Sequence, residues 1–141
     1  MPRADFYLIS KPRFREEPLR LVCELARKAY ETGTPTLVLA RDAAQAEQLD
    51  DLLWSFDPDA FIPHQIVGVD ADEDEAEVLI APPDANVPLR PIVINLRDDA
   101  VEGTFERVLE VVPADENARG PLRERWKQYQ ALGLDVNKHD M

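Results

Sequence analysis

Apolar and polar positions fall in blocks along this chain, and the period of the blocks changes in a regular order. Phe6-Tyr7-Leu8-Ile9 is a continuous apolar run closed by Ser10, Lys11 and Pro12, the pattern of a short strand. From Pro18 onward, Leu19, Val22, Cys23, Ala26, Ala29 and Tyr30 recur three and four apart, which predicts a helix with one apolar stripe, stopped by Gly33. Thr36-Leu37-Val38-Leu39-Ala40 is apolar without alternation, as expected of a parallel strand covered on both faces. Asp42 is placed to cap a second helix, along which Ala43, Ala46, Leu49, Leu52, Leu53 and Phe56 repeat at helical spacing.

Strand, helix, strand and helix within the first 56 residues predict a layered α/β fold with right-handed crossovers. Between Phe56 and His64, two prolines and three large apolar side chains exclude a continuous helix. The acidic segment from Asp70 to Glu75 reads as a solvated loop. Glu77–Ala81 and Pro91–Asn95 are two further strand expectations, with Pro82, Pro83 and Pro88 marking turns between them. Arg107–Val112 predicts a last strand, broken by Pro113, and a closing helix is expected from Glu116 to Leu132 with Gly133 at its C-terminal cap. Nothing repeats at a fixed period and no linker interrupts residues 1–141, so a single domain with about five strands is expected, in a mostly parallel sheet with helices on both faces.

Charge narrows the function. The chain carries 28 acidic and 16 basic side chains, a formal net charge of -12, which repels phosphate backbones and argues against broad nucleic-acid binding. The single cysteine, Cys23, sits among Val22, Leu25 and Ala26 and reads as a buried small hydrophobe that cannot form an internal disulfide. No apolar run approaches the ~20 residues needed to cross a bilayer, and the opening residues turn polar too soon for a signal peptide. A cytoplasmic protein is expected.

Catalytic and cofactor motifs are sparse. The turn after the first strand, Lys11-Pro12-Arg13-Phe14-Arg15, has proline and bulk where a phosphate-cradling nest needs glycine, so no nucleotide cofactor is expected. His64 and His139 are the only histidines, and with Cys23 they lack metal-ligand spacing; no metal is expected. Ser10 and Ser55, the only serines, stand in no nucleophile elbow. His64 acting as a base near Asp57 or Asp59 is the enzymatic alternative; the other reading is a hydrogen-bonding residue at the Pro63 turn.

Two segments stand out. In the closing helix, Arg119, Arg123 and Lys127 are four residues apart and line one face, beside an apolar face of Leu122, Trp126 and Tyr129, with Arg125 adding charge on a further side. Such a stripe is either a solvated outer face or a pocket in which arginine forks hold a carboxylate beside an aromatic platform. Stacked nucleobases would use the same groups, but the negative field disfavours them. The second segment, Leu52 to Ile66, holds Trp54, Phe56, Phe61, Ile62, Pro63 and Ile66, more apolar bulk than a connection needs. It is either core or a preformed patch for a partner.

Four blocks, in order along nearly the whole chain, carry a resemblance. They are Asp5-Phe6-Tyr7-Leu8; Ala43-x-Gln45-Ala46-x-x-Leu49-Asp50-x-x-Leu53-Trp54; Phe61-Ile62-Pro63-His64; and Arg123-Glu124-Arg125-Trp126-Lys127-x-Tyr129 followed by Gly133. Together they resemble the chi subunit of the bacterial DNA polymerase III holoenzyme. The resemblance implies a Rossmann-like three-layer sandwich without nucleotide binding or intrinsic catalysis. It implies two partners, the acidic C-terminal tail of single-stranded DNA-binding protein and the psi subunit. The implied tail site is Arg123, Trp126 and Lys127, with Arg119, Val112 and Leu134 around them. The implied psi-facing surface is Phe61, Pro63 and His64, with Trp54 close by. Trp126 stands where a tyrosine is familiar in the family, and Gln130 where a further arginine occurs.

Overall fold

The computed structural model describes residues 2–57, 59–67 and 76–141, so the expected acidic loop at 70–75 lies outside the described residues. The elements in chain order are β1 (Arg3–Leu8), α1 (Pro12–Glu16), α2 (Pro18–Glu31), β2 (Thr36–Leu39), α3 (Ala43–Ser55), β3 (His64–Ile66), β4 (Val78–Ala81), β5 (Ile92–Asn95) and β6 (Arg107–Val112). A single 3₁₀ turn (Glu116–Ala118) then leads into α4 (Arg119–Ala131), and β7 (Asp135–Asp140) closes the chain. The strands form one seven-stranded sheet, order β3-β4-β2-β5-β6-β1-β7, with every pairing parallel. The expected Rossmann-like α/β layering is present, with two strands more than expected.

Local rules account for the helix ends. Asp42 caps α3 by accepting from the Gln45 N–H at 2.7 Å, and the Gln45 side chain returns a bond to the Arg41 N–H. At the other end of α2, the Gly33 N–H donates to Tyr30 O and the Thr34 N–H to Ala29 O, with Gly33 at φ +73°. The end of α4 repeats this through Gly133 (φ +85°) and Leu134, which reach Gln130 O and Tyr129 O. Both are paired closures that need a left-handed residue, which glycine supplies without a Cβ clash.

Alternate residues of each strand feed two cores. On one face, α2 and α3 pack Leu21, Val22, Ala26, Leu49 and Leu53 against Tyr7, Val38, Ile80, Ile94, Leu109 and Val111. On the other, α4 lays Tyr129 and Trp126 over Ala4, Phe6, Val93, Val108 and Val112. The β2–β4 half of that second face is covered by connecting segments, which pack Ala85, Val87 and Leu89 on Leu37, Leu79 and Ala81. Apolar strands without alternation are the result, because each side of the sheet is buried.

Four features depart from the sequence reading. A short helix, α1, occupies the Pro12–Glu16 segment expected to be a turn, and the closing helix begins with a 3₁₀ turn instead of α geometry. β3 is only three residues long and carries no readable period. β7, with the sequence DVNKHD, is polar because it is an edge strand, where charged side chains discourage further pairing.

Candidate functional site

The topology creates a crevice beside β1 and β6. β1 and β6 are neighbours, but the chain leaves β1 toward the α2 face and leaves β6 toward the α4 face. Beyond the carboxyl ends of two such strands the connections diverge, which is where open parallel sheets take their ligands. A cavity of about 580 Å³ lies there. Its floor is Leu8 and Ile9 from the end of β1 and Val112 from the end of β6; Arg119, Leu122 and Arg123 from α4 form one wall, and Arg15 from α1 also lines it.

The charges around this cavity are unusual for the chain. Among the described residues, four arginines have guanidinium groups with no ion pair and no hydrogen bond: Arg15, Arg20, Arg119 and Arg123. Three of the four line the cavity. The other arginines are engaged, as in Arg13 with Glu24, Arg27 with Asp57 and Arg107 with Asp5. In a chain with 28 acidic groups to 16 basic ones, three guanidiniums without a counter-charge are thus gathered at one place. Two carboxylates also line it, Asp140 and Asp115, and the latter is turned to cap the 3₁₀ turn by accepting from the Asn117 N–H at 3.0 Å.

The placement of α4 rests on a buried polar cluster. Glu110 of β6 is fully enclosed. Its Oε1 lies 2.9 Å from Arg125 Nε, and its Oε2 accepts from Tyr129 Oη at 2.6 Å and from Asn95 Nδ2 at 2.8 Å. Tyr129 Oη in turn accepts the Val101 N–H, and Arg125 Nη1 donates to Asp98 O. Burial pushes the Glu110 carboxyl above its ordinary range against the pull of Arg125, Asn95 and Tyr129. Burial and the adjacent Glu110 charge push the Tyr129 hydroxyl up as well, so it stays a donor. Arg125, expected to add charge on a further side of the helix, is a buried tie between α4 and the sheet: four positions before Tyr129, it shares the inward face.

The sequence-predicted residues divide accordingly. Val112, Arg119 and Arg123 come together around the cavity. Trp126 is half-buried, its ring 5.1 Å from that of Phe6, and it shares an apolar cluster with Leu8, Val112, Leu122 and Leu134 alongside the cavity. Lys127 is exposed one position beyond and is not among the lining residues. Arg15, Ser10 and Asp140 were not foreseen; they arrive from the far ends of the chain through the parallel pairing of β7 and β6 with β1, a relationship with no local signal.

At the other end of the sheet, Trp54 and Phe61 are 56% and 66% exposed, with ring centroids 5.7 Å apart. Trp54 also covers His64 at 4.7 Å, and Pro63 is half-buried beside it. The His64 side chain is fully enclosed: Nδ1 lies 2.7 Å from Ile62 O, and Nε2 is 3.1 Å from Asp50 O and 3.2 Å from Asp50 Oδ1. The enzymatic alternative required Asp57 or Asp59 as its partner. Asp57 instead binds Arg27 at 2.7 Å. The Cys23 thiol is buried and pushed up to about 12 by desolvation and the Glu17 charge, which makes it a poor nucleophile. At the end of β1 the Lys11 N–H donates to Met141 O at 2.8 Å, tying the start of α1 to the residue after β7. No group of three or more His, Cys, Asp and Glu among the described residues is arranged for a metal ion. No described helix is long and apolar enough to cross a membrane.

Fold and cavity together define a class: a parallel α/β protein whose switch-point crevice is lined by arginine side chains instead of a glycine-rich backbone turn. The chain belongs to the family described as DNA polymerase III chi subunit, HolC, whose profile matches residues 1–137. It is 35% identical to the DNA polymerase III subunit chi of Pseudomonas aeruginosa, covering 99% of this chain and 96% of that protein. Against the subunit chi of Escherichia coli K12 the identity is 31%, over 97% of each chain. The Haemophilus influenzae subunit chi is 27% identical over 86% of this chain. Family membership makes this chain an accessory subunit of DNA polymerase III.

Two solved structures share the fold alone. Bacteriophage T4 UvsW superposes with a TM-score of 0.67 at 10% identity. A chain of the Saccharomyces cerevisiae structure of Dbp5 bound to Nup159, Gle1, IP6 and ADP superposes with a TM-score of 0.63 at 14% identity. This chain spans about two-fifths of the length of each, matching 41% of either chain.

Proposed function

We propose that this chain is a non-catalytic adaptor that holds the acidic C-terminal tail of single-stranded DNA-binding protein in the arginine-lined cavity and tethers it to the polymerase assembly, through the psi subunit. The observation that carries this reading is the trio of unpartnered guanidiniums around an apolar floor, in a chain of net charge -12. A peptide ending in acidic residues and an apolar side chain suits both features. Its carboxylates meet directed donors from Arg119 and Arg123, and its apolar end meets Leu8, Val112 and Leu122.

Trp126 backs that floor through Phe6 and leaves part of its indole at the surface. The second partner is assigned to Trp54 and Phe61, two exposed rings in contact on the opposite side of the sheet order. Rigid aromatic groups of this kind serve as anchors for a protein partner. With the two sites at separate ends of the sheet, both partners are held at once. An oligomeric tail donor then gains effective concentration without strong individual contacts.

Titrating the protein against a fluorescently labelled peptide of the tail, with and without Arg123→Ala, tests the reading. Loss of binding in the variant supports it, and unchanged affinity removes the assigned cavity.

A further inference from the structure

Arg119 and Arg123 belong to one helix and are one turn apart, whereas Arg15 reaches the same cavity from α1, on the other side of the diverging connections. One carboxylate is satisfied by one arginine fork. Three free guanidiniums on two separate elements therefore match a ligand with more than one negative group, spaced along an extended chain.

The backbone that carries Arg15 is built to hold its place. Pro12 occupies the first turn of α1 and Pro18 follows its end, so two of the φ angles that bracket it are fixed. Phe14 is only 1% exposed and anchors the helix in the α2 face of the core, while the Arg15 N–H donates to Lys11 O at 3.0 Å. Arg13, on the outer side of Phe14, is tied to both oxygens of Glu24 at 3.1 Å and lies over the Phe14 ring. With Phe14 pointing inward and Arg13 held against α2, Arg15 is the α1 cation left facing the cavity.

We propose that Arg15 is a specificity-determining contact of this cavity, pairing with an acidic side chain upstream of the bound peptide's end, while Arg123 holds the end itself. The proposal rests on the peptide-binding reading above and goes beyond it. It gives α1 a role in selecting how acidic the bound tail must be.

Two synthetic labelled peptides with the same apolar C-terminal residue test it, one with aspartates at the preceding positions and one with asparagines there. Both are titrated by fluorescence anisotropy into the full chain and into Arg15→Ala, Arg20→Ala and Arg123→Ala. Arg20 is the fourth unpartnered arginine and lies on α2 outside the cavity, so its variant changes net charge identically. The expected result is a loss of about fivefold for Arg15→Ala on the aspartate peptide, near the upper end for an exposed charge pair, with no loss on the asparagine peptide. Arg20→Ala is expected to leave both unchanged and Arg123→Ala to weaken both.

If Arg15→Ala behaves as Arg20→Ala does, the proposal falls while a loss in Arg123→Ala keeps the broader reading. Equal losses on both peptides would overturn the upstream assignment, because Arg15 would then be reading the terminus. If Arg123→Ala also leaves both affinities intact, the peptide-binding reading falls with it.

Discussion

Arg125 Nε lies 2.9 Å from Oε1 of Glu110, an ion pair enclosed between α4 and the central strands, on the same helix that turns Arg119 and Arg123 toward solvent. One helix thus uses arginine for two purposes, and the position within the turn decides which. Buried on the sheet side, Arg125 sets the pose of α4. Its neighbours on the outer side are left without partners.

Breaking this pair should be costly. Glu110→Gln leaves a guanidinium buried without its counter-charge, and a loss of about 3–5 kcal/mol is expected, as for other enclosed pairs that lose one member. Urea unfolding followed by circular dichroism measures it. A loss near zero would mean that solvent reaches Arg125.

Removing an outer arginine should do the reverse, sparing the fold and harming the interaction. Arg123→Ala is expected to change unfolding free energy by no more than about 0.5 kcal/mol and to weaken tail-peptide binding by about 2 kcal/mol or more. The same titration at rising salt should show affinity falling, because the Debye length shrinks to about 3 Å at 1 M. Binding indifferent to salt would contradict a charge-driven site.

Phe61 gives a second separation of stability from interaction. It is 66% exposed, so Phe61→Ser should leave the unfolding midpoint nearly unchanged. Co-purification with the psi subunit should drop tenfold or more if the Trp54–Phe61 pair is an anchor. Full retention of psi would move that interface elsewhere.

Acid should act through Asp5. Burial raises its carboxyl, but hydrogen bonds from His139 and Arg107 and the charges of Arg107 and Arg3 outweigh it and hold it below the ordinary value of 3.8. Because the folded state favours the ionised form, the stability from Asp5 is present above that ordinary value. It is lost as pH falls toward and through the lowered one. Asp5→Asn should therefore be less stable than the parent at neutral pH, and the gap should narrow below about pH 4. Chemical unfolding from pH 3 to 7 checks this; a gap constant across that range would show that ionisation of Asp5 is not involved.

Much of the architecture was legible in the residues. Helix stripes, Asp42 as a cap, Gly33 and Gly133 as stops and the unbroken apolar strands are local or short-range signals, and each stands where the pattern put it. β7 was not legible, since an edge strand is free to be polar and DVNKHD has no apolar face to announce it. Nor was α1, where two prolines disguise a helix of five residues as a turn.

For the site, the chain by itself determined which side chains lie one turn apart on α4, because helical spacing is intrinsic to the backbone. The family blocks were also present in it before any coordinates. Only the tertiary structure decided that Arg125 faces in and Arg123 faces out, since that depends on Glu110, fifteen residues away and on another element. It alone brought Arg15 to the same cavity, through the pairing of β6 with β1 across more than a hundred residues of chain. Spacing is a property of a segment. A site is a property of which segments the sheet makes neighbours, and no period along the chain records that choice.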